Sequence, residues 1–424
     1  MLRTIDDPAD LPGPVRPAFD EDVVSGVREI LDRVRTGGDA ALVELTRRFD
    51  GADVAGRIEV SREEIEAGVA AVPDDLRAAI DRMNERLWDL HARQLPLPWV
   101  EERDGVTYAE TVRPVRAAGA YVPGGRAAYP STVLMTAVPA RVAGVERVAL
   151  CTPPAPDGSV TPLVLYAAAA AGVRHVYRVG GAQAVAALAF GTETVAPVDV
   201  VVGPGNVWVT AAKREVAGVV GIDGLAGPTE LVIVADATAD PEILAADLVA
   251  QAEHDPLARV VMVSLDPTLP RRARPALEAE VAASARREIV ESSLRSSAAV
   301  VVGTEREAAE VADRVAPEHL QVVTRDPRRF LSLCRSYGAA FLGPLTPVAF
   351  GDYGVGSNHV LPTMATARFG SGLRASDFVT VSSVVEASVA GLAAHGDEVE
   401  LVARAEGLPG HARAVEVRRP PKPS

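Results

Sequence analysis

From about residue 105 onward, short runs rich in β-branched residues alternate with alanine-rich runs of helical length. VERVALCTPP is followed by TPLVLYAAAAAGV, RHVYRVGG by AQAVAALAFG, and VDVVVGPG by NVWVTAAKREVAG. ELVIVADAT, ARVVMVSLD and AAVVVGT continue the pattern. Strands separated by helices cannot pair as tight hairpins, because each helix carries the chain back before the next strand begins. They build parallel sheets with helices on both faces. The alternation suffices for two such sheets, with a boundary near residues 230–240. Ligands of such sheets are expected beyond the carboxyl ends of the strands. Upstream, FDEDVVSGVREILDRVRTGGDAALVELTRRFDG places apolar residues three and four apart, so residues 18–95 read as helices. Downstream, GPLTPVAFGDYGVGSNHVLPT is glycine-rich, and SSVVEASVAGLAAHGDEVELVARAEGL reads as a final helix.

Composition narrows the partners. With 424 residues, the chain is too long for one ordinary core. A net charge of −14 repels phosphate backbones, so neither nucleic acid nor an anionic membrane is an expected partner. The longest apolar run, LVLYAAAAAGV, falls well short of the roughly 20 residues that span a bilayer. Two cysteines, Cys151 and Cys334, make no disulfide framework, and the N-terminal MLRTIDDPADLPGP reads as no signal peptide. A reducing cytoplasm is the expected compartment. Lysine occurs only at Lys213 and Lys422, and Lys422 lies in RRPPKPS, which reads as a disordered tail. Lys213 is thus alone in the folded chain, either by chance or because a compact ammonium is needed there.

Three glycine-rich turns, YVPGGRAAYPS, VGGAQAV and VGPGNVW, each follow a strand and precede a helix. N–H groups at such helix starts can hold a dinucleotide's phosphates, although none of the three matches G-x-G-x-x-G and all serve equally as ordinary tight turns. In AQAEHD, Gln251 and His254 stand three apart, where helical side chains are neighbours. They can reach one metal ion; alternatively His254 caps a helix end and Gln251 is solvated. APEHL sets Glu318 beside His319, a pairing suited to two proton transfers or simply a surface glutamate and a half-buried histidine. FGDYGVGSNHV carries Asp352 and His359, and EGLPGHARAV carries Glu406 and His411. His91, His175 and His395 lie in regular runs and read as structural.

Taken together, YVPGGRAAYPSTVLM, GGAQAVAALAFGTE, GPGN, GPTE, AQAEH, APEHL, GDYGVGSNHVLPT and AEGLPGH resemble histidinol dehydrogenases, in order and spacing, over residues 20–417. The resemblance implies an α/β fold of two Rossmann-like parallel-sheet domains with an N-terminal helical segment and a C-terminal helical arm. It implies an N-terminal extension (1–17) and a first domain (18–120 with 232–373) carrying zinc and catalytic residues. An NAD-binding domain (121–231) and a dimerisation arm (374–424) complete the expected division.

It implies oxidation of L-histidinol to L-histidine through L-histidinal, with two NAD used in turn and one zinc per subunit. Zinc would be held by Gln251, His254, Asp352 and His411, and NAD by Tyr121, Gln183 and Asn206. Thr229, Gln251, His254, His319, Asp352, Glu406 and His411 would bind substrate. His319 would deprotonate the alcohol and Glu318 would activate water. Family members often carry Ser where Thr229 stands; both offer a hydroxyl. In a homodimer, Glu406 and His411 would complete the partner's site. The physical logic agrees: two hydride transfers with a hydration between them need two bases and a means of retaining the aldehyde. A related zinc and NAD dehydrogenase of another small alcohol, such as a sulfonated diol, is the closest alternative. A zinc hydrolase would have no use for the three glycine-rich turns.

Overall fold

The computed structural model describes residues 2–5, 7–11, 13, 19–124 and 128–419. Lys422 and its tail lie outside them, as do residues 125–127 of the first glycine-rich turn. Among the described residues the strands are β1 (Arg3–Ile5), β2 (Trp99–Arg103), β3 (Val106–Pro114), β4 (Ala117–Tyr121), β5 (Arg147–Thr152), β6 (His175–Arg178) and β7 (Val200–Val202). They continue as β8 (Gly221–Ile222), β9 (Glu230–Ala235), β10 (Arg259–Ser264), β11 (Ala298–Val301), β12 (His319–Val323), β13 (Ala339–Leu342) and β14 (Val379–Ala387).

Two parallel sheets result, as the alternation requires. One runs β6-β5-β4-β7-β8 and the other β1-β11-β10-β9-β12-β13. Their central strands are continuous apolar runs because both faces are covered: every residue of β9, β10 and β12 is buried. The N-terminal helix Glu21–Asp50 bends at Gly38 and buries Val27, Leu31, Leu42 and Leu45 in the core of the five-stranded sheet. The edge strand β1 comes from the N-terminal extension and pairs with β11. No described helix is long and apolar enough to cross a membrane.

By its contacts the chain divides into two compact units, residues 1–94 with 116–378, and residues 95–115 with 379–424. The larger holds both parallel sheets. The smaller holds the antiparallel sheet β14-β3-β2 and the helices Val389–Ala405 and Pro409–Glu416. Here the sequence reading needs correction. SSVVEA, expected in the final helix, belongs to β14, which pairs with β3 over nine residues. Its β-branched residues suit cross-strand packing better than a helix. The helix begins only after Ser388, whose hydroxyl accepts the Gly391 N–H at 3.1 Å.

The strand orders fix where side chains converge. In the five-stranded sheet the order turns back between β4 and β7, and all three glycine-rich turns leave carboxyl ends: after Tyr121, before Gly181 and after Val202. In the six-stranded sheet, however, the expected site residues gather at the amino ends of β9 and β12, which pair with His319 opposite Leu231. The helix Pro241–Ala252 explains this reversal. It runs back from β9 toward β10, so its carboxyl end, with Gln251, arrives at the sheet's amino edge. The expected site residues therefore lie at carboxyl ends in one sheet and at amino ends in the other, whereas the sequence reading expects ligands beyond carboxyl ends.

Candidate active site

Thr229 immediately precedes β9, and its hydroxyl joins two elements. It donates to Glu318 Oε2 and accepts from Gln251 Nε2. The Glu230 N–H donates to the same Glu318 oxygen at 3.2 Å. Glu318 reaches this position because the helix Glu305–Val315 ends at Ala316, a left-handed residue (φ 47°), and the chain turns at once into β12. Burial pushes the Glu318 carboxyl up to about 7; the Thr229 and Glu230 hydrogen bonds oppose the rise, and the negative charge of Asp352 adds to it.

His319 begins β12 and is 4% exposed. Neither ring nitrogen has a hydrogen-bond partner, and Nδ1 stands 3.7 Å from Glu318 Oε2, beyond bonding distance. The ring tilts against Phe341, with centroids 5.8 Å apart. Burial drives its pKa down to about 4. The same desolvation thus moves two adjacent groups in opposite directions, since it disfavours a carboxylate and an imidazolium alike. Near neutral pH the imidazole is uncharged and free to accept a proton, and the carboxyl is poised to exchange one.

Asp352 and His254 line the same cavity as Glu318 and His319. His254 is not on the helix, which ends at Ala252 with Glu253 as its cap, so the helical-neighbour argument describes Gln251 alone. The donor types suit zinc: an amide oxygen, an imidazole and a carboxylate. With its Nε2 bonded to Thr229, Gln251 has an Oε1 that accepts no hydrogen bond among the described residues. Those residues nevertheless contain no group of three or more His, Cys, Asp or Glu side chains placed to hold a metal ion. Asp352 and His254 act on Glu318 and His319 through their charges, so the set is an electrostatic cluster. Glu406 and His411 belong to the smaller unit; both are exposed, one capping the helix Val389–Ala405 and the other in Pro409–Glu416.

On the other wall of the cavity, the Tyr121 hydroxyl accepts the Gly181 N–H at 3.2 Å. Gln183 is 1% exposed, and its Nε2 has no partner. Asn206 caps the helix Val207–Val216, its Oδ1 accepting from the Trp208 and Val209 N–H groups. The cavity measures about 1010 Å³, at the upper end for a small-molecule site, which suits a cofactor and a substrate together.

Two residues had no assigned role in the sequence reading: His359, singled out with Asp352 in the glycine-rich loop, and Glu230. His359 places Nδ1 3.8 Å from Asp352 Oδ1 and Nε2 3.1 Å from Thr132 Oγ1, inside the cavity; burial lowers its pKa to about 4. Its place beside Asp352 in a polar, glycine-rich loop was the available signal. Glu230 is buried next to Glu318 and accepts the Met364 N–H at 3.2 Å, steadying the left-handed pair Met364 and Ala365 (φ 54° and 58°). It is the glutamate of GPTE, where only the threonine stood out. The structural reading of His91 and His175 agrees with their bonds, to Gln94 at 2.7 Å and Glu59 at 2.8 Å.

With this geometry in place, comparison with known proteins identifies the lineage. The family model for histidinol dehydrogenase matches residues 16–419. The chain belongs to the histidinol dehydrogenase family. The histidinol dehydrogenase of a Synechococcus species is 47% identical over 398 residues, covering 93% of this chain and 92% of its own. That of Caulobacter vibrioides is 48% identical, covering 94% and 93%. A crystal structure of the histidinol dehydrogenase from Elizabethkingia anophelis superposes with a TM-score of 0.94 at 34% identity, covering 98% of each chain. Membership makes the chain an oxidoreductase of histidine biosynthesis, and the fold read from its sequence is the fold of that family.

The raised Glu318 pKa has a consequence for stability. A carboxyl that titrates near 7 when folded and near 4.5 when unfolded favours the folded state fully below 4.5, and that contribution is lost as pH rises through 7. The difference is on the order of 3 kcal/mol. In metal-free protein at pH 8, Glu318→Gln should therefore unfold at a higher denaturant concentration than wild type, with the gap closing toward pH 4.5. A variant no more stable than wild type at pH 8 would contradict the burial account.

Proposed function

We propose that the chain oxidises L-histidinol to L-histidine through L-histidinal in one cavity, with His319 and Glu318 as separate bases. The observation that carries this reading is a neutral, unbonded His319 beside a Glu318 poised near 7, both lining the cavity that also holds Tyr121, Gln183 and Asn206. NAD would be held at those three residues and would supply the acceptor for the hydride of each oxidation. Zinc would be held by Gln251, His254, Asp352 and the partner subunit's His411, and would supply a Lewis acid that holds the substrate by its imidazole and amino nitrogens.

The chain's own residues do the rest. His319 accepts the hydroxyl proton as hydride leaves the alcohol carbon. Glu318 removes a proton from the water that adds to the aldehyde, and the hydrate then gives up the second hydride. Thr229 keeps the Glu318 carboxyl facing its task and sets the Gln251 amide so that its oxygen points away from that bond. We assign the six-stranded sheet to the domain of the bases and the five-stranded sheet to the cofactor domain.

We also propose a homodimer in which Glu406 and His411 complete the partner's site. Support comes from the smaller unit, where Val381, Val384, Val385, Val389 and Leu401 are exposed apolar residues that burial against a second chain would cover.

Two experiments test this reading. Glu318→Gln should slow oxidation of histidinal far more than the first hydride transfer from histidinol, by roughly the 100-fold or more that a positioned base supplies. His319→Asn should impair the alcohol step as well. NADH formation followed separately from each substrate decides, and equal losses in Glu318→Gln would refute the division between bases. For the dimer, His319→Ala and His411→Ala chains should each be nearly inactive as homodimers. Refolded together, about half the dimers are mixed and each has one intact site, so activity should return to roughly a quarter of wild type. Mixed dimers without recovery would refute the shared site.

A further inference from the structure

Lys213, the only lysine among the described residues, is gripped inside the structure. It lies in the helix Val207–Val216 and is 1% exposed. Its Nζ donates to the Gly203 carbonyl at 2.9 Å and forms an ion pair with Asp223 Oδ1. The other carboxylate oxygen, Oδ2, accepts the Gly203 N–H at 2.7 Å. One buried ion pair therefore holds both polar groups of a single backbone residue.

That residue opens the GPGN turn. Gly203 has φ +119°, and a Cβ there would collide with the carbonyl oxygen of Tyr121. The turn thus lies directly against the end of β4, in a conformation that only glycine adopts readily. Three residues later Asn206 caps the very helix that carries Lys213. The turn is tied at both ends: to the helix start through Asn206, and to the helix interior through Lys213. Thr210 on the same helix donates to the Ala226 carbonyl at 2.9 Å, which fixes the segment leading to Thr229.

A buried ion pair is a poor device for stability alone, since apolar residues of similar volume often serve as well or better. It is a good device for fixing one backbone geometry, because an ammonium and a carboxylate each demand defined partners. A compact ammonium meets both a carbonyl and a carboxylate here; a planar guanidinium has neither that size nor that shape. Neither Lys213 nor Asp223 lines the cavity.

We propose that the Lys213–Asp223 pair is a positioning clamp that holds the Gly203–Asn206 turn in the shape that receives NAD, so that it sets cofactor affinity and leaves the chemistry of bound substrate untouched. This rests on the placing of NAD at Asn206 proposed above. The test uses the full-length protein and the double variant Lys213→Met with Asp223→Asn, which leaves no unpaired buried charge and keeps an acceptor for Gly203. NAD is titrated without substrate, with Trp208 fluorescence as the signal, and the two KM values are measured alongside. The Kd and KM for NAD should rise about tenfold, the scale of one charge-assisted hydrogen bond. The KM for histidinol and kcat at saturating NAD should stay within about twofold, the split expected when only cofactor binding is weakened.

Lys213→Arg should not restore NAD affinity. If the double variant fails to fold, Asp223→Asn alone carries the same comparison. Unchanged NAD affinity in a folded variant, or equal rises in both KM values, overturns the clamp, and wild-type affinity in Lys213→Arg overturns the requirement for a compact ammonium. A wild-type chain that binds no NAD is a separate result: it overturns the cofactor reading itself, and the clamp's role with it.

Discussion

A short chain of side-chain hydrogen bonds, Gln251 to Thr229 to Glu318, is the interaction on which the site depends. It joins the carboxyl end of a helix, the residue before β9 and the residue before β12. Each of these elements is rigid, and each is fixed by the packing of the six-stranded sheet. The junction therefore fixes two things at once: the carboxyl proposed as a base, and the amide of an expected metal ligand. Burying Glu318 there is costly for its charged form, and the Thr229 and Glu230 donors offset only part of that cost. The remainder appears as a pKa near neutrality, where a proton acceptor is most useful.

The cavity draws on opposite edges of two parallel sheets. Glycine-rich turns leave the carboxyl edge of the five-stranded sheet, where exposed N–H groups and open conformations suit a cofactor. The amino edge of the six-stranded sheet offers strand starts, where Glu230, Glu318 and His319 are held by the ladder itself and enclosed by the helix ends. The same enclosure explains the neutral imidazole: His319 lies tilted against Phe341 in a buried position, so its low proton affinity follows from burial.

Much of this was legible in the sequence because it follows from local periodicity. β-branched runs flanked by alanine-rich helices predict parallel sheets, and β5, β6, β7, β9, β10 and β11 lie where those runs place them. What was not legible depends on distant partners. SSVVEA looked helical beside an alanine-rich neighbour, yet pairing with β3 made it strand. The amino-edge position of Glu318 and His319 depends on strand order, which no single segment encodes. Glu230 was passed over, and His359 was noted beside Asp352 without a role, because a glutamate beside a threonine, or a histidine in a loop, means little until the fold brings Glu318 and Asp352 against them. Lys213 was conspicuous by composition alone, but only Asp223 and the Gly203 backbone give it a purpose.

The central claim, that burial and the Thr229 hydroxyl together set the Glu318 proton affinity, can be measured at the group itself. Isotope-edited infrared difference spectra of metal-free protein, referenced to Glu318→Gln, would follow the Glu318 carboxyl band against pH. The expected midpoint is near 7 in wild type, and higher in Thr229→Val, because the hydroxyl stabilises the charged form. A wild-type midpoint in the ordinary glutamate range of about 4.3, or a midpoint in Thr229→Val that is unchanged or lower, would contradict the account.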